Sequence, residues 1–202
     1  MRLLLILILL TGCADLTKRG VERFAGGPDD SAPAEMAQLV AIDAPRMIVR
    51  LPQKGQAVTV LLAGERAGVK RWRGTDNAQL YTKDAMIIGT RGLGDDLIGA
   101  DPGQAVQVIR SGQPGQITRI HRRLDGQDRL AIRSYVCDIT PGPAEQVRIS
   151  ETRSVSALRI DETCHSPGGG HRNRHWLYQG QILQSEQSFS PEIGPLVLTF
   201  LP

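Results

Sequence analysis

The feature that most limits what this chain can become is the spacing of its apolar residues. They alternate with polar ones over short runs, and Gly, Pro, Asn or Asp punctuates nearly every gap. Runs at 46–51 (RMIVRL), 57–65 (AVTVLLAGE), 69–73 (VKRWR), 78–82 (AQLYT) and 85–90 (AMIIGT) have the length and residue types of strands. The breakers between them mean that each run returns through a turn. Residues 117–139 read as a hairpin about Asp125-Gly126, a dipeptide suited to the positive φ angles of a type I′ turn. In its second arm Leu130, Ile132 and Val136 alternate with Arg129, Arg133 and Tyr135, which predicts that the aliphatic set is buried. Two more pairs follow, 145–150 with 154–161 and 171–178 with 181–189, the latter turning near Gly180, and 195–201 supplies a final strand. Helical periodicity is confined to a turn at 34–40 and a weak stretch at 95–100. The expectation is an all-β domain of about ten or eleven antiparallel strands, either barrel-like or a two-sheet sandwich.

The opening residues, MRLLLILILLTGC, are organised differently. Arg2 precedes an apolar run from Leu3 to Leu10 that ends in Thr11 and Gly12. A helix that crosses a bilayer needs ~20 apolar residues, so this shorter run reads as a signal peptide. Leu10, Thr11, Gly12 and Cys13 resemble the lipobox of bacterial lipoproteins, which implies cleavage before Cys13 and acylation of its thiol and amine. Two or more acyl chains anchor stably where one does not. The residue after Cys13 is Ala14 where that family's inner-membrane retention signal has aspartate, so the outer membrane is expected. The expected organisation is a signal peptide at 1–12, an acylated tether at 13–38, rich in Gly and Pro from Gly26 to Pro33, and one β domain at 39–202, facing the periplasm.

Composition supports a single folded unit. Removing twelve residues from 202 leaves 190, enough for one domain with a substantial core. The formal net charge of +3 is too small to argue for nucleic acid as a partner. Beyond Cys13 two cysteines remain, Cys137 and Cys164. In an oxidising compartment they are expected to form a disulfide.

Two stretches resemble the YjbF and GfcB family of envelope lipoproteins, encoded beside exopolysaccharide and capsule genes. One comprises Trp72, Asn77, Ala78, Leu80 and Thr82, followed by TRGLGDDL from Thr90 to Leu97. The other is Asn173, Arg174, His175 and Trp176, with Ser185 and Gln187. The loop from His165 to His171 departs from that pattern. The resemblance implies a mainly β, barrel-like domain on an acyl tether that works in production or export of surface polysaccharide, and it implies no catalytic residues.

Several clusters invite chemistry. Cys164, His165, His171 and His175 are metal-ligand types, but on a strand His171 and His175 share a face about 13 Å apart at ~3.3 Å per residue, too far for one ion, so no metal is expected. Asp95, Asp96 and Asp101 offer carboxylates, yet neighbours on an extended chain point apart and the surrounding glycines read as a loop rather than a glycosidase pair. Gly89, Gly92 and Gly94 do not make a phosphate loop, because Leu97 stands where the motif's third glycine would fall and no βαβ unit surrounds them. No nucleophile elbow, zincin motif or Walker lysine is present, so no enzyme and no cofactor are expected. Arg119, His121 and Arg123 alternate on one strand, with Arg129 and Arg133 on its partner, and can present one cationic face to an acidic polysaccharide or lipid headgroup. Trp72, Tyr81, Trp176 and Tyr178 can stack on sugar rings or pack in the core. The resulting expectation is a non-enzymatic accessory factor that binds polymer or export proteins. A glycan-modifying enzyme and a purely protein-binding scaffold are the alternatives.

Overall fold

The structure is a computed structural model that describes residues 44–74, 78–94, 96–124, 129–150 and 152–201. Cys13, the signal peptide, the tether and the Asp125-Gly126 turn lie outside these residues. Twelve strands follow one another as β1 (Arg46–Leu51), β2 (Gln56–Arg66), β3 (Val69–Arg73), β4 (Gln79–Lys83), β5 (Met86–Arg91) and β6 (Leu97–Asp101), then a helix α1 (Ala105–Ser111), then β7 (Gly115–Leu124), β8 (Leu130–Arg148), β9 (Ser154–Ser166), β10 (Gly169–Tyr178), β11 (Gln181–Ser190) and β12 (Gly194–Phe200).

All twelve belong to one sheet, in the order β5-β4-β3-β2-β1-β12-β11-β10-β9-β8-β7-β6. Its outermost strands meet, so the sheet is a nearly closed barrel and not a sandwich. The loop between β5 and β6 holds them together. Thr90 Oγ1 accepts from Leu97 N at 2.9 Å and donates to Asp96 Oδ1 at 2.8 Å, while that carboxylate also accepts from Gly92 N and Leu93 N. Asp96 is therefore a loop anchor. Asp95 lies outside the described residues, and Asp101 accepts from Gly103 N.

Every ladder is antiparallel, so the turns after β1, β3, β5, β7, β9 and β11 gather at one end. The chain enters β1 at the opposite end. There α1 buries Ala105, Val106 and Ile109 against Ile117, Ile139 and Ile160 and closes the barrel. A second interior cluster, built around Met47, Val49, Leu80, Leu196 and Leu198, fills the β1 to β5 side. The far end of the β8–β9 hairpin curls over the outside, where Val147, Ile149, Val155 and Ala157 pack on outward-facing Trp176.

Three sequence expectations change. The weak helical stretch at 95–100 becomes β6, and the helix forms at Ala105–Ser111 instead, where Ala105, Val106 and Ile109 have the spacing of a single buried face. The runs 130–139 and 145–150 are not separate, because β8 continues through Pro141 and Pro143, with a register shift between Pro141 and Ala144 absorbing them. Most consequential is the phase of β8. Tyr135, Cys137 and Ile139 point inward, whereas Leu130, Ile132 and Val136 are 56%, 60% and 46% exposed. Buried side chains further along the strand set its phase, and the aliphatic residues near the turn follow on the outside.

Candidate functional site

The inward phase of β7 and β8 determines the site. Arg119, His121 and Arg123 face the interior with Tyr135 and Arg133, since Arg119 pairs with Tyr135 and His121 with Arg133 in the ladder. The predicted cationic set is thus brought together inside the barrel rather than on a solvated sheet face. Arg129 is the exception, exposed just before β8.

At depth the interior is polar. Arg119 is 2% exposed and Glu162 is fully buried, and Arg119 Nη1 donates to both carboxylate oxygens at 3.0 and 3.1 Å. Asn173 Nδ2 donates to Glu162 Oε2 at 2.7 Å, and His175 Nε2 lies 3.1 Å from the same atom, positioned to donate. Burial pushes the Glu162 carboxyl up, but Arg119 beside it and the hydrogen bonds from His175 and Asn173 prevail and hold it well below the usual carboxylate range. Gln187 extends the polar interior, donating to Ala85 O and Ser185 Oγ and accepting from Ile87 N, which ties β11 to β5 across the barrel. Asn173, His175, Ser185 and Gln187 are four of the six residues on which the C-terminal resemblance rests. Their hydrogen bonds inside the barrel give that pattern a structural reason.

The disulfide joins Cys137 to Cys164, which oppose each other in the β8–β9 ladder beside Glu162. Cys137, Glu162 and Cys164 bring potential ligand atoms within 4.8 Å of one another, yet the two sulfurs are bonded to each other and the carboxylate is engaged by Arg119. His165 is exposed on the outside of β9, while His171 faces the interior with His175.

Above this network the barrel opens into a cleft of about 560 Å³ at the end where the β7–β8, β9–β10 and β11–β12 turns gather. Arg123, Arg133, His121, His171 and Tyr135 line it, with the loop Gly168 to Gly170 as one wall. The three rings form a packed cluster, with His171 stacked on His121 at 5.4 Å and edge-on to Tyr135 at 4.6 Å between centroids. Arg123 packs over Phe189 with 5.1 Å to the ring centroid and donates to Phe189 O, which fixes its guanidinium. Arg133 lies against Gly168, where a Cβ would stand 3.7 Å from its guanidinium carbon. Gly170 lets the β9–β10 turn close, because a Cβ there would strike the Cys164 carbonyl oxygen. Burial, reinforced by Arg119, His171 and Arg123, lowers His121 to about 3, and burial lowers His171 as well. Both imidazoles are neutral at pH 7, so arginines carry the charge of the cleft. His171 Nε2 is buried with no hydrogen-bond partner among the described residues.

The aromatic candidates fall elsewhere. Trp72 is core, donating to Thr82 Oγ1 at 2.7 Å, and Trp176 packs outside the barrel with its indole N–H on Glu145. Tyr81 hydrogen-bonds Gln79, and Tyr178 packs beside Trp176. Tyr135, which the expected phase of β8 places on the outside, does line the cleft.

The fold and site define a class of antiparallel, nearly closed β-barrels with one end plugged by a helix, a buried ion pair in the interior and a cationic cleft at the other end. Residues 21–201 match the family described as group 4 capsule polysaccharide lipoprotein gfcB, YjbF, and the chain belongs to that family. The crystal structure of the hypothetical lipoprotein YmcC from Escherichia coli (K12) shares the fold, with a TM-score of 0.67 and 21% identity over 85% of this chain and 90% of that one. No curated protein matches the chain.

Proposed function

We propose that this protein is an outer-membrane lipoprotein, anchored through acylated Cys13 after removal of residues 1–12, and that it serves capsule or exopolysaccharide assembly without catalysis. Its domain reaches into the periplasm on the 13–38 tether and binds acidic polymer in the cleft. The observation that carries this reading is the convergence of Arg123 and Arg133 on one cleft beside the packed rings of His121, His171 and Tyr135. Guanidinium groups pair with carboxylates in a fixed geometry. The family description, a capsule polysaccharide lipoprotein, supports the process. Calorimetric titration of the mature protein with acidic capsular polysaccharide tests it. Binding that weakens at least tenfold in Arg133→Glu and is absent for a neutral glucan supports the reading, whereas equal affinity for both polymers removes it.

A further inference from the structure

The end of the barrel where the chain enters carries a second concavity, separate from the cleft. A groove of about 800 Å³ runs between outward-facing side chains of β1 and β12 and the curled end of the β8–β9 hairpin. Ile48, Ile149 and Leu201 form its apolar surface, and Arg46, Arg50 and Arg148 line it, with no acidic residue among its described lining. Arg50 is held across the strands by donating to Gln184 Oε1 at 3.0 Å, and Arg148 is exposed. A mainly apolar concavity of this size with a few polar groups at its margin suits an amphiphile better than a sugar.

Its position supplies the partner. Ala44, the first described residue, lines the groove, so the segment leading back toward Cys13 departs from its edge. Thirty residues, 14–43, lie between Cys13 and Ala44, enough for ~100 Å when extended. A chain of that length permits contact with the bilayer but does not enforce it. Surface attraction has to supply the rest, and apolar contact combined with arginines on anionic lipid is the usual means.

We propose that this groove seats the domain on the membrane by taking an anionic phospholipid, its acyl chain over Ile48, Ile149 and Leu201 and its phosphate at Arg50 and Arg148. The inference rests on the lipoprotein character of the family and not on polymer binding. Seated this way, the domain turns its cleft away from the bilayer.

Acylated mature protein carrying Ser150→Cys, labelled with an environment-sensitive dye, tests the proposal in vesicles of phosphatidylcholine with phosphatidylglycerol. With Cys13 acylated and Cys137 bonded to Cys164, the new thiol is the one that reacts. Brominated phosphatidylglycerol is expected to quench the dye several-fold more than brominated phosphatidylcholine. The preference should disappear in Arg50→Glu with Arg148→Glu and fall partway in Arg148→Gln, with thermal melts confirming that each variant is folded. Equal quenching by the two lipids, no quenching, or quenching indifferent to the arginine changes would overturn it. So would a crosslink from position 150 to residues 34–43 that forms equally with and without vesicles, since the chain itself would then fill the groove.

Discussion

Replacing Glu162 with glutamine should damage this fold more than any surface change, although the two side chains have nearly the same shape. The carboxylate is fully buried and receives Arg119, Asn173 and His175, while Arg119 is itself 2% exposed. Glutamine leaves a guanidinium charge stranded in the interior, and breaking a buried pair in this way costs about 3–5 kcal/mol. For a domain of this size each kcal/mol shifts Tm by roughly 2–4 °C, so Glu162→Gln should melt roughly 6–20 °C lower by calorimetry at neutral pH. The double variant Arg119→Met with Glu162→Gln removes the stranded charge. It should therefore be less destabilised than the sum of the two single changes, by about 0.5–3 kcal/mol. A Glu162→Gln protein melting within a degree of the parent, or strict additivity in the cycle, would refute the claim that the ion pair organises the interior.

Acid should erode stability in two windows. His121, with a folded pKa lowered from 6.5 to about 3, stays neutral while the unfolded chain takes up a proton, so stability falls as pH drops below about 6.5 and the loss is complete near 3. Glu162 has a depressed folded pKa against an ordinary value of 4.5, so its contribution is complete above 4.5 and drains away below it. Melts from pH 8 to 3 should show both, with His121→Gln flattening only the upper window. Losing the Cys137–Cys164 bridge, with a sequence separation of 27, should cost ~3–4 kcal/mol in the chain-entropy model, read as a lower urea midpoint in the double alanine variant. Ile132→Ser should change stability by less than ~0.5 kcal/mol because the side chain is 60% exposed, and a core-sized loss in chemical denaturation would contradict the assigned phase of β8.

How far the sequence speaks can be judged from particular elements. The β10–β11 hairpin was legible because Gln179 and Gly180 sit at φ of 50° and 75°, as a tight turn demands, and alternation flanks them. The disulfide was legible from export and from the count of cysteines. The phase of β8 was not, since both of its faces carry apolar residues near the turn and only the three-dimensional partners of Cys137 and Ile139 decide which is buried. Helix α1 was hidden for a similar reason, being seven residues long with no capping side chain to announce it. Glu162 attracted no notice in the sequence. An acid within a strand, here next to Asp161, signals little until Arg119, 43 positions away, is folded against it. The arginines were legible as a set, but the fold divides them by depth, with Arg119 in the buried ion pair and Arg123 and Arg133 lining the cleft.

The central claim is that this cleft holds an anionic glycan through arginines rather than through charged imidazoles, and affinity measured against pH tests it most directly. Calorimetric titration of the mature protein with a carboxylate-bearing capsular polysaccharide should give an affinity that is unchanged from pH 8 to 5, because His121, lowered to about 3 by burial and the arginines beside it, stays neutral in the folded protein. The affinity should collapse in Arg133→Glu throughout that range. Binding that strengthens as the pH falls through 6.5, or that survives Arg133→Glu, would contradict the account.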